Sequence, residues 1–375
     1  MLDFGKLLPG PWCTQTLADM GADVIKVEQP PMGDPARYNP PVFREGSAYF
    51  HSLNGSKRSI ALNLMAEADR AIAQKLIRRT DVMVESFRQG VPERLGIDHV
   101  TAQHLNPKLI YCSITGFGRT GPWAGVPGHD LVVQAATGVL GVVDEGETPP
   151  VPAFQAADYA AAATATIGIL AALRKRDATG EGSRLDVSMF DSLFAMSNIV
   201  GGTALTGAAG HVHPQRMEVF GHNPRYAIYP AADGKAVAVS LLETGIWAQF
   251  CLLIGRPELV AAEESLRDRL SRHPERAALY REAIAGVCLS KPRDELVAWL
   301  GEHDVPILPV LSPQEALGCP HVEARGMAQW VDHPIEGRIP VYANPLHSSG
   351  VAPVRRSPAP GLDSDRASIL AELYE

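Results

Sequence analysis

Between Leu2 and Glu28 the chain runs strand, helix, strand, and this order constrains the fold more than any other feature. Leu2-Asp3-Phe4 reads as a strand remnant. Leu8-Pro9-Gly10-Pro11 reads as a turn that sets proline at a helix start, where its missing N–H has no intrahelical partner to lose. Trp12 to Met20 has helical apolar spacing, Gly21 stops it, and Asp23-Val24-Ile25-Lys26-Val27-Glu28 alternates as a strand. A crossover of that length joins parallel strands and points to an α/β sheet. The first strand opens abruptly at Met1, which reads as a truncated or misassigned start.

The alternation continues. Ser59 to Leu64 reads as strand, Glu67 to Thr80 as helix and Val82 to Glu85 as strand. A helix ending near Leu105 and a strand from Lys108 to Ile114 follow. Repeated βα units favour a doubly wound, Rossmann-like parallel sheet. Gly116 to Gly128, rich in glycine and proline, is expected to be a loop. Asp158 to Arg174 is expected to be a long helix and Arg184 to Met189 a strand. Residues 1–200 therefore read as a large α/β domain and 201–220 as a linker, with Gly201 to Gly210 a flexible crossing. Residues 221–315 read as a smaller α+β domain, opened by a hairpin that turns at Ala232-Asp233-Gly234. Residues 316–375, rich in proline, read as a segment returning to the large domain.

Composition narrows the function. Hydrophobic residues make up 46% and charged residues 20%, a balance that supports a large core. The five cysteines are scattered and never form a CxxC pair, which argues against a disulfide framework or a zinc site and fits a reducing cytoplasm. The histidines lack metal spacing as well; His211 and His213 lie in a Gly/Ala-rich stretch that reads as loop. A net charge of -8 without a basic block argues against nucleic acid as a partner. The most apolar tract, Ala156 to Leu173, is interrupted by Asp158 and reads as a buried helix rather than a membrane span. No GxGxxG follows the first strand, so a dinucleotide dehydrogenase is excluded.

The chain resembles the class III CoA-transferase family, which also contains α-methylacyl-CoA racemases. The resemblance rests on Pro9-Gly10-Pro11, Leu17-Ala18-Asp19-Met20-Gly21-Ala22-Asp23-Val24-Ile25-Lys26-Val27-Glu28 and Gly33-Asp34-Pro35-Ala36-Arg37. It continues through Lys57-Arg58-Ser59, Glu85-Ser86-Phe87-Arg88-Gln89-Gly90, Gly116-Phe117-Gly118, Gly128-His129-Asp130 and Thr179-Gly180-Glu181-Gly182. It implies an acyl-CoA substrate, no permanently bound cofactor, and an interlocked homodimer with active sites between a large and a small domain. It also implies nucleotide contacts at Arg37, Leu62, Ser86, Phe87 and Arg94. Lys57, Arg58 and Arg88 are further loop cations suited to the phosphates. Two departures stand out. The family's common lysine is Met65 here, and its common asparagine is Ser86.

Asp158 alone reads as a helix N-terminal cap; the resemblance makes it the catalytic carboxylate. Two reactions follow. In one, His129 and Asp158 pass a proton on and off the α-carbon of a 2-methylacyl-CoA, with Asp130 supporting Asp158 and Glu243 orienting His129. In the other, Asp158 attacks an acyl-CoA to form a mixed anhydride, and CoA passes to another carboxylic acid. His129, Asp130 and Glu243 favour the racemase reading, with CoA transfer the alternative. The long Gly33 to Phe50 insertion is a transferase trait. A non-catalytic CoA-binding protein is the remote third reading.

Overall fold

The computed structural model describes residues 1–142, 147–211, 223–260, 274–351 and 356–375. Two compact units emerge, Met1–Asn198 with Pro320–Glu375, and Ile199–Cys319.

The first unit is built on six strands: β1 (Leu2–Phe4), β2 (Ile25–Glu28), β3 (Arg58–Ala61), β4 (Val82–Glu85), β5 (Ile110–Thr115) and β6 (Ser183–Ser188). Their order is β3-β2-β1-β4-β5-β6, and every pairing is parallel. The chain starts at the centre, winds out to β3, then crosses to the other side of β1. The order therefore reverses between β1 and β4, the switch point where open α/β sheets take ligands at the strands' carboxyl ends.

Both faces of the sheet are covered, so successive residues of β4 and β5 are buried whichever way they point. Val82 and Val84 of β4 point to one face with Ile110, Cys112 and Ile114, packing against Ala160, Ala161, Ala165 and Ile169. Met83 and Tyr111 point to the other, against Leu76, Ile77, Ile97 and Ile369. The alanines belong to one helix, Ala156–Thr179, longer at both ends than its apolar spacing predicts. By length and composition this helix could cross a bilayer. Here its alanine face lies in the core and Asp158 stands in its first turn.

The last segment belongs to the first unit. A hairpin of β10 (Ala328–His333) and β11 (Gly337–Tyr342) precedes a tail that runs along the exposed edge of β3; strands β7 to β9 belong to the second unit. The Ala61 N–H donates to Asp363 Oδ1 at 2.7 Å and the Ser59 N–H to Asp365 Oδ2 at 3.0 Å. Two side chains thus do what a neighbouring strand would do, which blunts an edge open to unwanted pairing.

The second unit holds an antiparallel sheet of β7 (Tyr226–Pro230), β8 (Ala236–Ser240) and β9 (Ile307–Pro309). The turn between β7 and β8 is the expected Asp-Gly type, with Gly234 at φ +77°. Trp247, Phe250, Tyr280 and Leu296 fill its core. The stretch expected to be a flexible crossing instead forms a helix, Gly202–Ala208. Its glycines lower helix propensity without forbidding the conformation. His213 and the later part of the expected linker, residues 212–220, lie outside the described residues.

Candidate active site

The chemistry gathers where the loop after β5 returns to the long helix. Gly116 and Gly128 nearly touch: a Cβ on Gly116 would sit 3.3 Å from the Gly128 Cα, and one on Gly128 would strike the Phe117 ring at 2.9 Å. This closure fixes the start of the helix Asp130–Ala136. Asp130 Oδ1 then accepts the N–H groups of Ala157 (2.8 Å) and Asp158 (3.2 Å), while Oδ2 accepts from Gln134 Nε2 at 2.6 Å. Asp130 therefore caps the long helix from a different element. This corrects the reading of Asp158 as the cap: Gln155 holds the N-cap position, and the Asp158 carboxylate is left for other work.

Burial, reinforced by the negative charge of Asp130, pushes the Asp158 carboxyl up to about 7. The helix N-terminus favours the anion, but the other two effects win. Around Asp158 lies an aromatic wall. Tyr159 meets Trp12 edge-on at 5.8 Å and stacks on Phe154 at 5.0 Å. Burial raises the Tyr49 phenol, and the negative charge of Asp158 adds to the effect. His129 stands exposed at the N-cap of the shorter helix. Glu243 lies in the second unit at the N-cap of the helix Thr244–Leu253 and makes no side-chain cap there. Trp247 is fully buried in that unit's core.

At the carboxyl ends of β1 to β4 the sheet opens into a hollow of about 200 Å³, lined among others by Lys6, Val27, Leu62, Met65, Phe87 and Arg94. Leu62, Phe87 and Arg94 of the expected nucleotide contacts thus come together. Ser86 stands beside them, its Oγ accepting the Lys6 N–H at 3.1 Å. Met65 lies in the wall where the family commonly has a lysine. Lys6 faces the same hollow and its ammonium lies 5.7 Å from the Phe87 ring centre, a neighbour that sequence reading passed over.

The other expected cations are placed differently. Arg37 makes a two-pronged pair with Glu28 (2.9 and 2.7 Å), donates to the Pro360 carbonyl and lies 4.0 Å over the Phe50 ring. Three of its donors are thus engaged inside the protein. Lys57 is buried, bonded to Asp3, Thr14, Asn54 and the Pro11 carbonyl, and burial lowers it to about 8. A side chain so enclosed cannot meet a phosphate in solvent. Arg58 opens β3 and pairs with Asp23 and Glu372, beside a separate hollow of about 530 Å³ at the amino ends of the strands. A four-residue strand, roughly 13 Å long, separates it from Leu62. Arg88 is exposed and outside the lining of the hollow at the carboxyl ends of β1 to β4. Among the described residues, no group of three His, Cys, Asp or Glu side chains is disposed to hold a metal ion.

A doubly wound parallel sheet with a hollow at the carboxyl ends of its central strands, and a raised carboxyl at a helix start, define an α/β fold with a candidate active site. The pattern of CoA-transferase family III matches residues 1–366, and the chain belongs to that family. It is 36% identical to the succinyl-CoA:mesaconate CoA-transferase of Haloarcula hispanica, covering 99% of this chain and 94% of that protein. It is 32% identical to the succinate–glutarate CoA-transferase of Agrobacterium fabrum, over 100% and 94%. Among solved structures, a CAIB/BAIF family protein from Brucella suis superposes with a TM-score of 0.80 at 31% identity, covering 99% of this chain and 97% of that one. The Haloarcula and Agrobacterium relatives carry CoA-transferase names, which favours the CoA-transfer alternative over the racemase reading of the sequence.

Proposed function

We propose that the protein is an acyl-CoA:carboxylate CoA-transferase with Asp158 as nucleophile. The observation that carries this reading is the placement of Asp158, with its backbone N–H held by Asp130 and its carboxylate free of any capping duty. One carboxylate oxygen attacks the thioester carbonyl carbon, the C–S bond breaks, and CoA leaves as thiolate with an acyl-aspartyl anhydride behind. The thiolate attacks the aspartyl carbonyl, releasing the first carboxylic acid and leaving an aspartyl-CoA thioester. An incoming carboxylate then repeats the two steps in reverse, restoring the Asp158 carboxylate and a new acyl-CoA. No proton is gained or lost across the cycle, so no acid–base partner is required.

The nucleotide of CoA occupies the hollow at the carboxyl ends of β1 to β4, with Leu62 and Phe87 against the adenine and Arg94 and Lys6 toward the phosphates. The trapping experiment is direct. Borohydride added during turnover converts an acylated Asp158 to homoserine, which peptide mass spectrometry detects. Rapid α-deuterium incorporation into a 2-methylacyl-CoA without an acceptor acid, lost in His129→Ala, would instead establish racemase chemistry. A homodimer is part of the same reading. Ile167, Leu170, Phe194 and Met196 leave apolar side chains exposed on the first unit, and a second copy would cover them. Light scattering that returns a monomer at micromolar concentration sinks this part.

A further inference from the structure

Arg119 lies in the loop just past β5 and does not line the nucleotide hollow. Its Nη2 pairs with Glu85 Oε1 at 2.5 Å, its Nε donates to Ser113 Oγ at 2.8 Å, and its backbone N–H donates to Asp186 Oδ2 at 3.1 Å. Glu85 ends β4 with no exposed side-chain surface. Its Oε1 also accepts the Tyr111 hydroxyl at 3.3 Å. Its other oxygen, Oε2, accepts the Phe87 N–H at 2.8 Å. The chain of contact runs from Arg119 through a buried carboxylate to the backbone of the residue whose ring walls the hollow.

A buried carboxylate holds its charge only beside a counter-charge. Without Arg119, the buried Glu85 carboxylate loses its ion-pair partner and admits water, and its grip on the Phe87 N–H loosens. We propose that Arg119 is a positioning residue for the nucleotide end of the acyl-CoA substrate: through Glu85 it sets the Ser86-Phe87 turn against which that nucleotide rests. The inference rests on the assignment of the hollow to the nucleotide. It separates Arg119 from Arg94, which would touch the ligand itself.

Calorimetric titration of the full chain with CoA, ADP and pantetheine tests it, with thermal melting as the check on folding. Arg119→Met is expected to weaken CoA and ADP alike by about tenfold and to leave pantetheine unchanged. Arg119→Lys keeps a charge but loses the fork and is expected to fall between, which covers the case in which the methionine variant does not fold. The double variant Arg119→Met/Glu85→Gln removes the orphaned charge yet keeps an acceptor for the Phe87 N–H, and is expected to recover most of the affinity. Unchanged CoA and ADP affinity in a folded Arg119→Met protein overturns the inference. So does an equal loss for pantetheine that the double variant fails to recover, since that marks a general structural role. Wild-type protein that binds CoA but shows no competition from ADP overturns the nucleotide assignment itself, and the inference falls with it.

Discussion

At the scale of single residues, the site turns on two carboxylates with different tasks. Asp130 holds the helix start, and Asp158 is the proposed nucleophile. An aspartate at about 7 is substantially protonated at neutral pH, and only the anion attacks a thioester. Turnover at low substrate concentration (kcat/KM) is therefore expected to rise with pH through about 7, measured across pH 5 to roughly 9 with a substrate free of titrating groups. Asp130→Asn keeps the acceptor oxygen for both backbone N–H groups but removes the charge that lifts Asp158, so the midpoint moves to lower pH. A midpoint that stays put would mean that burial alone sets it. Asp158→Asn should lower the rate at least about a thousandfold, as expected for loss of a covalent nucleophile. Its stability effect has the opposite sign. Asp158 retains a proton in the folded state up to about 7 but in the unfolded chain only up to 3.8, so its favourable contribution is complete at low pH and is lost as pH rises through that window. At pH 8 the asparagine variant should be the more stable by roughly 1–2 kcal/mol, less than the full shift implies because the side chain is partly exposed. Chemical denaturation at pH 8 and at pH 4 measures the contrast, which should vanish at the lower pH.

At the scale of elements, side chains take over work that backbone ladders leave undone. Glu336, at the turn of the β10–β11 hairpin, accepts the N–H groups of Arg44 (2.6 Å), Glu45 (3.2 Å) and Gly46 (2.7 Å). Burial would raise its carboxyl, yet these donors hold it below the usual range. The inserted loop is pinned to the hairpin by one carboxylate, with the His51 and His333 rings packed alongside at 4.6 Å. Glu336→Ala orphans three donors and should cost about 1–3 kcal/mol. Limited proteolysis should then cut first between residues 39 and 47, and an unchanged cleavage map would refute the pinning. The edge of β3 depends on Asp363 and Asp365 in a similar way. Asp363→Ala/Asp365→Ala should lower stability by roughly 1–2 kcal/mol and increase light scattering on storage, because the edge N–H groups of Ser59 and Ala61 become free to pair.

At the scale of the whole molecule, the first unit is assembled from both ends of the chain. Arg356 forms a two-pronged pair with Asp19 at 2.7 and 2.5 Å, both side chains nearly buried, and joins the tail to the first helix. Removing one partner of such a pair leaves a buried charge, so Arg356→Met should cost about 3–5 kcal/mol. Arg356→Met/Asp19→Asn should recover much of it, a double-mutant comparison read by thermal melting. The six-stranded sheet and the β7–β8 hairpin were legible in the sequence, because their signals are local: apolar runs of strand length, helix periodicity between them, and an Asp-Gly turn. Asp158 stood out as a candidate only through the spacing of motifs around it, since a lone aspartate at a helix start looks like a cap.

What the tertiary structure decided is which polar groups find each other. Asp130 caps a helix that starts 26 residues later. Lys57 turns inward onto Asp3 and Thr14, while Arg37 spends its fork on Glu28. Lys6, far from Leu62 and Arg94 in the chain, shares their hollow. No local pattern encodes such pairings, because burial and counter-charge depend on the whole chain being in place. The sequence by itself determined the alternation of strand and helix and the chemistry available at each position. The fold decided which charges were consumed in holding it together, and it left the Asp158 carboxylate free of capping duty.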